Sequence, residues 1–492
     1  MRTGSEYREA LRDGRRVWVV GEGPIDDVTT HPATRAMVDE YVAWYDRQND
    51  PAWADLVLQP ATANGPVPWG SIIPRSPADL TAMGRYFYAM LFPTGGNITH
   101  TPTYGNLISL GIQYAVQQLN VSPEQVACAT NYRDYIASTG RFLTFAAGGG
   151  TIGYRMRPDP AERAALRLVR ETDAGLVLSG KISMLTSPAY AEDVYIGSMS
   201  GVPYKDHYAT VSVAVNAPGV RVICRRIAAR HTNAFLAPMS HRFDELDGQL
   251  WLDEVLVPWE RVFLLEVPPE PMASWLFWHQ LYCGLAKIDF TLGLALACAH
   301  AMGLAEHDQT IGYLVDLIVE AQTIRTCLTA AELEPDPTPQ GYCIPGRRHI
   351  AVGSIALQKA RQRVAEILRI VPGSSLVVAP SDAELEHPEI SAALEESFGG
   401  GGYTAVQRAA LLSLAWDHVA SGLDGRESAF ELHANGGMQA WRARLRRSFE
   451  RYNELANGVL QNLSVEMPEI DLSHIAAMPM TARRPVSPPR TT

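Results

Sequence analysis

Residues 275–307 read WLFWHQLYCGLAKIDFTLGLALACAHAMGLAEH. From Trp275 to Ala305 the only fixed charges are Lys287 and Asp289, and only glycines interrupt the helical pattern. A helix apolar on more than one face belongs inside a bundle, of its own subunit or of a partner. TIGYLVDLIVEAQTIRTCLTAAELEP (310–335), SIALQKARQRVAEILRIV (354–371) and AVQRAALLSLAWDHVASG (405–422) follow with similar apolar spacing. The C-terminal part therefore reads as a bundle of long helices.

Working outward, the preceding zone changes period. LVLSGKISML (176–185), DVYIGSM (193–199), HYATVSVAVN (207–216) and GVRVICRRI (219–227) are short β-rich runs separated by Gly, Pro, Asn and Ser. They predict an antiparallel sandwich or barrel. The first zone is helical again, for example over 33–45 and 79–91, with Pro/Gly-rich interruptions such as QPATANGPVPWGSIIPRSP (59–77). The expected organisation is an α+β chain: a helical N-terminal domain at 1–140, a central antiparallel β-domain at 141–268 and a helical bundle at 269–475. A Pro- and Arg-rich tail at 476–492 is expected to be disordered.

At 492 residues the chain is long enough for two or three domains. Lys+Arg 42 against Asp+Glu 53 leaves a net charge of −11, a poor match for a phosphate backbone or an anionic membrane. Hydrophobic content of 47% with 19% charged residues allows a large core and hints at surface buried in an oligomer. The six cysteines show neither C-x-x-C nor zinc spacing. The first residues, MRTGSEYREALRDGRR, lack the apolar core of a signal peptide. No uninterrupted apolar run reaches the ~18 residues of a membrane span. The expectation is a soluble, cytoplasmic protein without nucleic-acid or membrane partners.

Phosphate-loop, dinucleotide-fold, nucleophile-elbow and zinc-protease signatures are absent. The Gly148–Gly150 and Gly399–Gly402 runs lack phosphate-loop context, and a flexible turn is the favoured reading of the second. Cys298, His300 and His307 lack a Glu-x-x-His companion and read as a packed cysteine and surface histidines, so no metal is expected. An enzyme with this sequence would rely on an organic cofactor bound between domains.

RTGSEYREALRDGRRVWVVGEGPIDDVTTHPATR (2–35), NYRDYIASTGRFLT (131–144), GVRVICRRI, HRFDELDGQLWLDEVLVPWERVF (241–263) and LSLAWDHVASGLDGRESAFELHANGG (412–437) occur in this order. Together they resemble the 4-hydroxyphenylacetate 3-monooxygenase family over about residues 2–465. The resemblance implies an acyl-CoA-dehydrogenase-like fold with a C-terminal four-helix bundle that assembles homotetramers. It also implies a two-component enzyme that takes FADH2 from a separate flavin reductase. Reaction of the reduced FAD with O2 would give a flavin C4a-hydroperoxide that hydroxylates a phenol, in a pocket that excludes water.

What the resemblance implies for individual residues is mixed. The family's substrate loop, R-[ST]-P-[DE]-[YH], aligns with His100-Thr101-Pro102-Thr103-Tyr104. His100 and Tyr104 become the candidate catalytic and substrate-binding pair, although His100 lacks the permanent charge and forked geometry of arginine. An ordinary loop tyrosine is the alternative for Tyr104. The family's catalytic histidine falls on Phe145, which neither accepts nor donates a proton. Phe145, Ala146, Ala147 and Thr151 would line the flavin, and Phe145 also the substrate. Gly180–Thr186 resembles a flavin-contacting segment that makes Thr186 a cofactor residue; a strand ending in a Ser-Pro turn is the other reading. Ser198 and Met199 fall beside the substrate, and His433, Ala434, Asn435 and Gly436 on a turn touching the flavin. The related 4-hydroxybutyryl-CoA dehydratases carry an iron–sulfur cluster on cysteines that would fall near positions 100 and 104. His and Tyr there exclude that cluster.

The leading expectation is an FADH2-dependent monooxygenase that hydroxylates or epoxidises a specialised substrate, phenolic or otherwise. A flavin-holding isomerase, dehydratase or cyclase without O2 chemistry is the alternative, and a non-catalytic assembly partner is a third reading.

Overall fold

The computed structural model describes residues 1–59, 66–119, 121–146, 153, 156–158, 165–197, 202–204, 207–228, 233–264, 270–433 and 437–478. The first zone is built from capped helices. Pro77–Leu91 starts at Ser76, whose side chain accepts from Asp79 N while the Asp79 carboxylate accepts from Ser76 N. Pro123–Thr139 repeats this capping box with Ser122 and Gln125, and Pro102–Gln117 is capped by Thr101. Each begins with proline, which has no N–H to leave unpaired there.

The β-zone forms a sheet in which neighbouring strands are, in order, Val262–Leu264 (β11), His207–Ala214 (β8), Asp193–Ile196 (β6), Leu143–Ala146 (β3), Gly175–Thr186 (β5), Asp247–Pro258 (β10), Val220–Cys224 (β9), Val17–Val19 (β1) and Gly23–Ile25 (β2), with Leu166–Thr172 (β4) added on β5 and Val202–Tyr204 (β7) on β8. Its long strands are β5 (Gly175–Thr186) and β10 (Asp247–Pro258), paired antiparallel from Asp247↔Thr186 to Pro258↔Gly175. Two pairings depart from the expected antiparallel pattern. β3 (Leu143–Ala146) runs parallel to β6 (Asp193–Ile196), and β1 (Val17–Val19) parallel to β9 (Val220–Cys224). β1 and its partner β2 (Gly23–Ile25) come from the zone expected to be helical, so that zone contributes strands as well as helices.

Two cores follow. Tyr7, Val38 and Tyr41 pack with the sheet residues Leu178, Val194 and Val222. Phe87, Tyr104 and Leu107 pack instead with Trp278, Leu328 and Leu357 of the bundle. The N-terminal zone is therefore shared between the β-core and the bundle core, and the His100–Tyr104 loop lies where they meet.

The bundle is formed by Glu270–Ala301, Asp308–Leu333, Arg347–Ile370 and Ala405–Val419, with Gly422–His433 and Gly437–Ser448 beside it. Ser274–Ala301 is long and apolar enough to cross a membrane, but most of its apolar window is buried in the bundle. The Asp308–Leu333 helix buries Leu314, Leu317, Ile324 and Leu328 yet exposes Ile311, Val315, Ile318 and Val319. A short helix, Ser473–Ala477, reaches two residues into the expected tail, and residues 479–492 lie outside the described ones.

Candidate active site

Thr101 and Pro102 fix where the 102–117 helix begins, so His100 sits just before the cap and Tyr104 in the first turn. Thr101 Oγ1 accepts from Tyr104 N at 3.2 Å. The His100 and Tyr104 rings lie 4.6 Å apart at 61°, both almost wholly buried. Tyr41 donates its hydroxyl to His100 O at 2.7 Å, and its oxygen lies 2.8 Å from Ser187 Oγ. Ser187 has φ 59°, a left-handed conformation for a non-glycine residue at the end of β5. The backbone of position 100 is thereby tied to the sheet.

Glu245 organises the other side. Its Oε1 accepts from Thr99 N at 3.0 Å and His100 N at 2.5 Å. Its Oε2 accepts from Thr99 Oγ1 at 2.9 Å and lies 3.4 Å from Arg426 Nη1. Thr99 Oγ1 is in turn 3.0 Å from His100 Nδ1. Arg426 also grips Asp247 with two bonds of 2.6 and 2.8 Å and contacts Glu427. Thr186 donates its hydroxyl to Asp247 Oδ1 at 3.0 Å, and Thr144 donates to Thr186 O at 2.7 Å. One network thus links the 99–100 loop, β5, β10 and the 422–433 helix.

Burial sets the proton affinities. It pushes Glu245 up to about 7 against the pull of Arg426, with Glu427 adding to the rise. It pushes His100 down to about 3, so the imidazole is neutral at physiological pH. Burial also carries the Tyr104 phenol well above its ordinary range. For Asp247 burial acts upward, but hydrogen bonds and charge from Arg426, with Arg225, outweigh it and hold the carboxyl below its usual value.

Of the residues expected at a site, His100 and Tyr104 are brought together. Thr186 joins them through Asp247, Arg426 and Glu245. Phe145 is half-buried on β3, packed against the bundle core, and Ala146 beside it is buried. His433 ends the 422–433 helix, exposed, one turn beyond Phe430, whose ring lies 6.3 Å from His100. Ala147, Thr151, Ser198, Met199, Ala434, Asn435 and Gly436 lie outside the described residues. Sequence reasoning missed Thr99, Glu245, Arg426, Gln280 and His279. Gln280 donates to the Tyr104 hydroxyl at 3.4 Å, and His279 packs 5.4 Å from the Tyr104 ring. Glu245 and Asp247 do stand in the FDELDG segment, where two acids beside a β-strand were an available signal.

A cavity lined by Thr99, Gln280, Cys283, Phe430 and Trp441 adjoins the loop. It shares Gly284, Leu357, Arg361 and Glu431 with a larger cavity of about 460 Å³ between the 270–301, 347–370, 405–419 and 422–433 helices. Ligand pockets commonly have volumes of this order.

Comparison with known proteins places this architecture. Residues 3–264 match the family described as 4-hydroxyphenylacetate 3-hydroxylase N terminal, and residues 271–461 the corresponding C-terminal family. The oxygenase component of 4-hydroxyphenylacetate 3-monooxygenase from Thermus thermophilus is 27% identical over 87% of this chain and 91% of its own length. An FADH2-dependent monooxygenase from Burkholderia cepacia is 26% identical over 78% of this chain and 77% of its own. A crystal structure of a 4-hydroxyphenylacetate 3-monooxygenase oxygenase component superposes with a TM-score of 0.85, at 25% identity, covering 94% of this chain and 98% of that one. The fold is that of a flavin-dependent oxygenase component. The chain belongs to the 4-hydroxyphenylacetate 3-hydroxylase family.

Proposed function

We propose that this protein is the oxygenase component of a two-component monooxygenase, taking FADH2 from a separate reductase and using O2 to hydroxylate a phenolic small molecule. The observation that carries the reading is a neutral, buried imidazole set edge-on against a buried phenol at the meeting point of two cores, in a chain matched along both halves by an oxygenase family.

The residues present fit a flavin dinucleotide. Arg361 lines the larger cavity; its Nε lies 3.3 Å from Glu431 Oε2, while its Nη1 makes no hydrogen bond among the described residues, leaving a donor for a phosphate oxygen. Thr291 Oγ1 donates to Lys287 O, so His418 Nε2–H donates to Thr291 at 2.8 Å. His418 Nδ1 is then a buried acceptor without a partner among the described residues, suited to a hydroxyl or amine of a nucleotide. On the sheet side, the Thr186 hydroxyl spends its proton on Asp247 and keeps lone pairs for a ring N–H. Thr186 and Ala146, with His433 at the end of the 422–433 helix, would hold the ring end. Bound reduced flavin supplies the electrons that activate O2.

The chain's own residues do the rest. His100 accepts a hydrogen bond from the substrate hydroxyl, which raises the electron density of the substrate ring, and takes the proton as that ring is oxygenated and the hydroxyl becomes strongly acidic. Tyr104, with its phenol kept protonated, donates a hydrogen bond that orients the substrate, while the surrounding aromatic core excludes water. With Phe145 and His100 in place of a histidine and an arginine, the pocket is recut for a specialised phenol rather than 4-hydroxyphenylacetate. All six cysteines are free, as suits the reducing cytoplasm. The apolar face of Ile311, Val315, Ile318 and Val319 would be covered by further copies in a homotetramer.

The test is anaerobic mixing of protein and FADH2 with oxygenated buffer in the presence of a panel of phenols. The expected result is hydroxylated product and a rate of hydrogen peroxide release below that of free FADH2. Peroxide at the free-flavin rate with no product from any phenol would refute the reading.

A further inference from the structure

We propose that Glu245, acting through the hydroxyl of Thr99, is a positioning residue that decides which nitrogen of His100 carries the proton. The inference rests on the reading of His100 as the group that accepts the substrate proton.

A hydroxyl has one proton to give. Ionised Glu245 is surrounded by donors: Thr99 N, His100 N, Thr99 Oγ1 and Arg426 Nη1. The Thr99 proton therefore points at Glu245 Oε2, and Thr99 Oγ1 can only accept from His100 Nδ1, 3.0 Å away. This fixes the Nδ1–H tautomer and leaves the lone pair on Nε2, which has no hydrogen bond among the described residues. Nε2 first accepts the substrate O–H as a hydrogen bond; as the substrate ring is oxygenated and the hydroxyl becomes strongly acidic, the O–H bond breaks and its electron pair stays on oxygen. The N–H bond forms at Nε2, and Nδ1 keeps its proton on Thr99. The positive ring is met by Glu245 Oε1, 3.9 Å from Nδ1.

Protonating Glu245 reverses every bond in the chain. The carboxylic O–H donates to Thr99 Oγ1, Thr99 donates to Nδ1, and His100 must carry its proton on Nε2. The ring is then a donor and no longer a base. Both states are within reach, because burial pushes Glu245 up to about 7. The titratable and charged groups around it are Arg426 and Glu427 from the 422–433 helix and Asp247 from β10. Tyr41, Tyr104, Cys283 and His100 complete the set from the other packed elements. Glu245 is thus a switch read out at His100 Nε2, and Thr99 is the connection. The segment quoted from the sequence as HRFDELDG contains Glu245, but nothing in its spacing points to position 99.

The experiment is long-range ¹H–¹⁵N correlation on full-length protein labelled at histidine nitrogen, the His100 signals being assigned by their loss in His100→Gln. Wild type at pH 8 is expected to show Nδ1–H. Thr99→Val removes the acceptor, and Glu245→Gln turns an amide N–H toward Thr99, so both should shift the ring to Nε2–H. Thr99→Ser keeps a hydroxyl and should restore the wild-type tautomer, which separates the connection from a general packing defect. Turnover at pH 8 in Glu245→Gln should fall roughly tenfold or more, and the loss of wild-type activity on acidification through about pH 7 should disappear. An unchanged His100 tautomer in both Thr99→Val and Glu245→Gln would overturn the proposal. A tautomer that flips while turnover on an identified substrate stays constant would uphold it and refute the role given to His100.

Discussion

Replacing Arg426 by methionine tests whether the junction between the sheet and the bundle is held electrostatically. The guanidinium lies against three carboxylates, those of Asp247, Glu245 and Glu427. Asp247 would keep Arg225 at 3.1 Å, and Glu427 would keep Lys287 at 3.8 Å. Glu245, 1% exposed, would keep no cation among the described residues. Removing one partner of a buried ion pair costs roughly 3–5 kcal/mol, and with two of three acids still compensated the low end, roughly 3 kcal/mol, applies. The sign with pH follows from Glu245. Its folded proton affinity already lies above the unfolded one, so its contribution to stability is present below the unfolded value and lost as pH rises through about 7. Without Arg426 that affinity rises further, so the deficit of the variant should be smaller at pH 6 than at pH 8. A chain with two cores does not promise two-state unfolding, so the assay is native-state hydrogen exchange of β10 and the 422–433 helix. After correction for intrinsic rates, exchange at pH 8 should be about a hundredfold faster than wild type. Acceleration below about fivefold, or equal at the two pH values, would refute the reasoning.

Two other substitutions probe the pocket and the assembly. Phe145→His puts back an imidazole at the family's catalytic position, but in a recut pocket it should leave conversion of 4-hydroxyphenylacetate at the wild-type chain's level; strong new product by liquid chromatography would show that the older pocket shape survives. Val315→Glu with Val319→Glu places charges on the exposed face of the 308–333 helix. It should change the stability of one subunit by about 0.5 kcal/mol per site or less, while sedimentation shows a smaller assembly; an unchanged mass would place the interface elsewhere.

Much of this was legible because it is local. Apolar period marks the 270–301 and 308–333 helices, and Ser-Pro or Thr-Pro marks the starts at 77, 102 and 123. The relation of His100 to Tyr104 is also local, since four residues across a helix start put both on one turn. β1 and β2 were not legible. Three residues of VWV carry too little period to declare a strand, and their pairing with β9 joins positions about two hundred apart in the chain. The same distance hid the network, in which Glu245 meets Thr99 and Arg426 meets Asp247 only after the sheet and bundle close.

A histidine at position 100, where the family resemblance implies an arginine, changes more than one contact. A guanidinium there would place a permanent positive charge beside Glu245, whose Oε1 accepts from the backbone N–H of that very residue. With a neutral histidine, the carboxylate is answered among the described cations by Arg426 alone, at 3.4 Å, and Arg426 is already shared with Asp247 and Glu427. Glu245 is left close to its ionisation point rather than held firmly as an anion. A group in that condition is a poor structural strut and a good proton gauge. On the proposed reading, the phenylalanine at position 145 then has a counterpart: the base would lie on the neighbouring loop, with a titratable carboxylate behind it. The physical consequence is that the enzyme's pH dependence should follow Glu245, not the histidine proposed to meet the substrate.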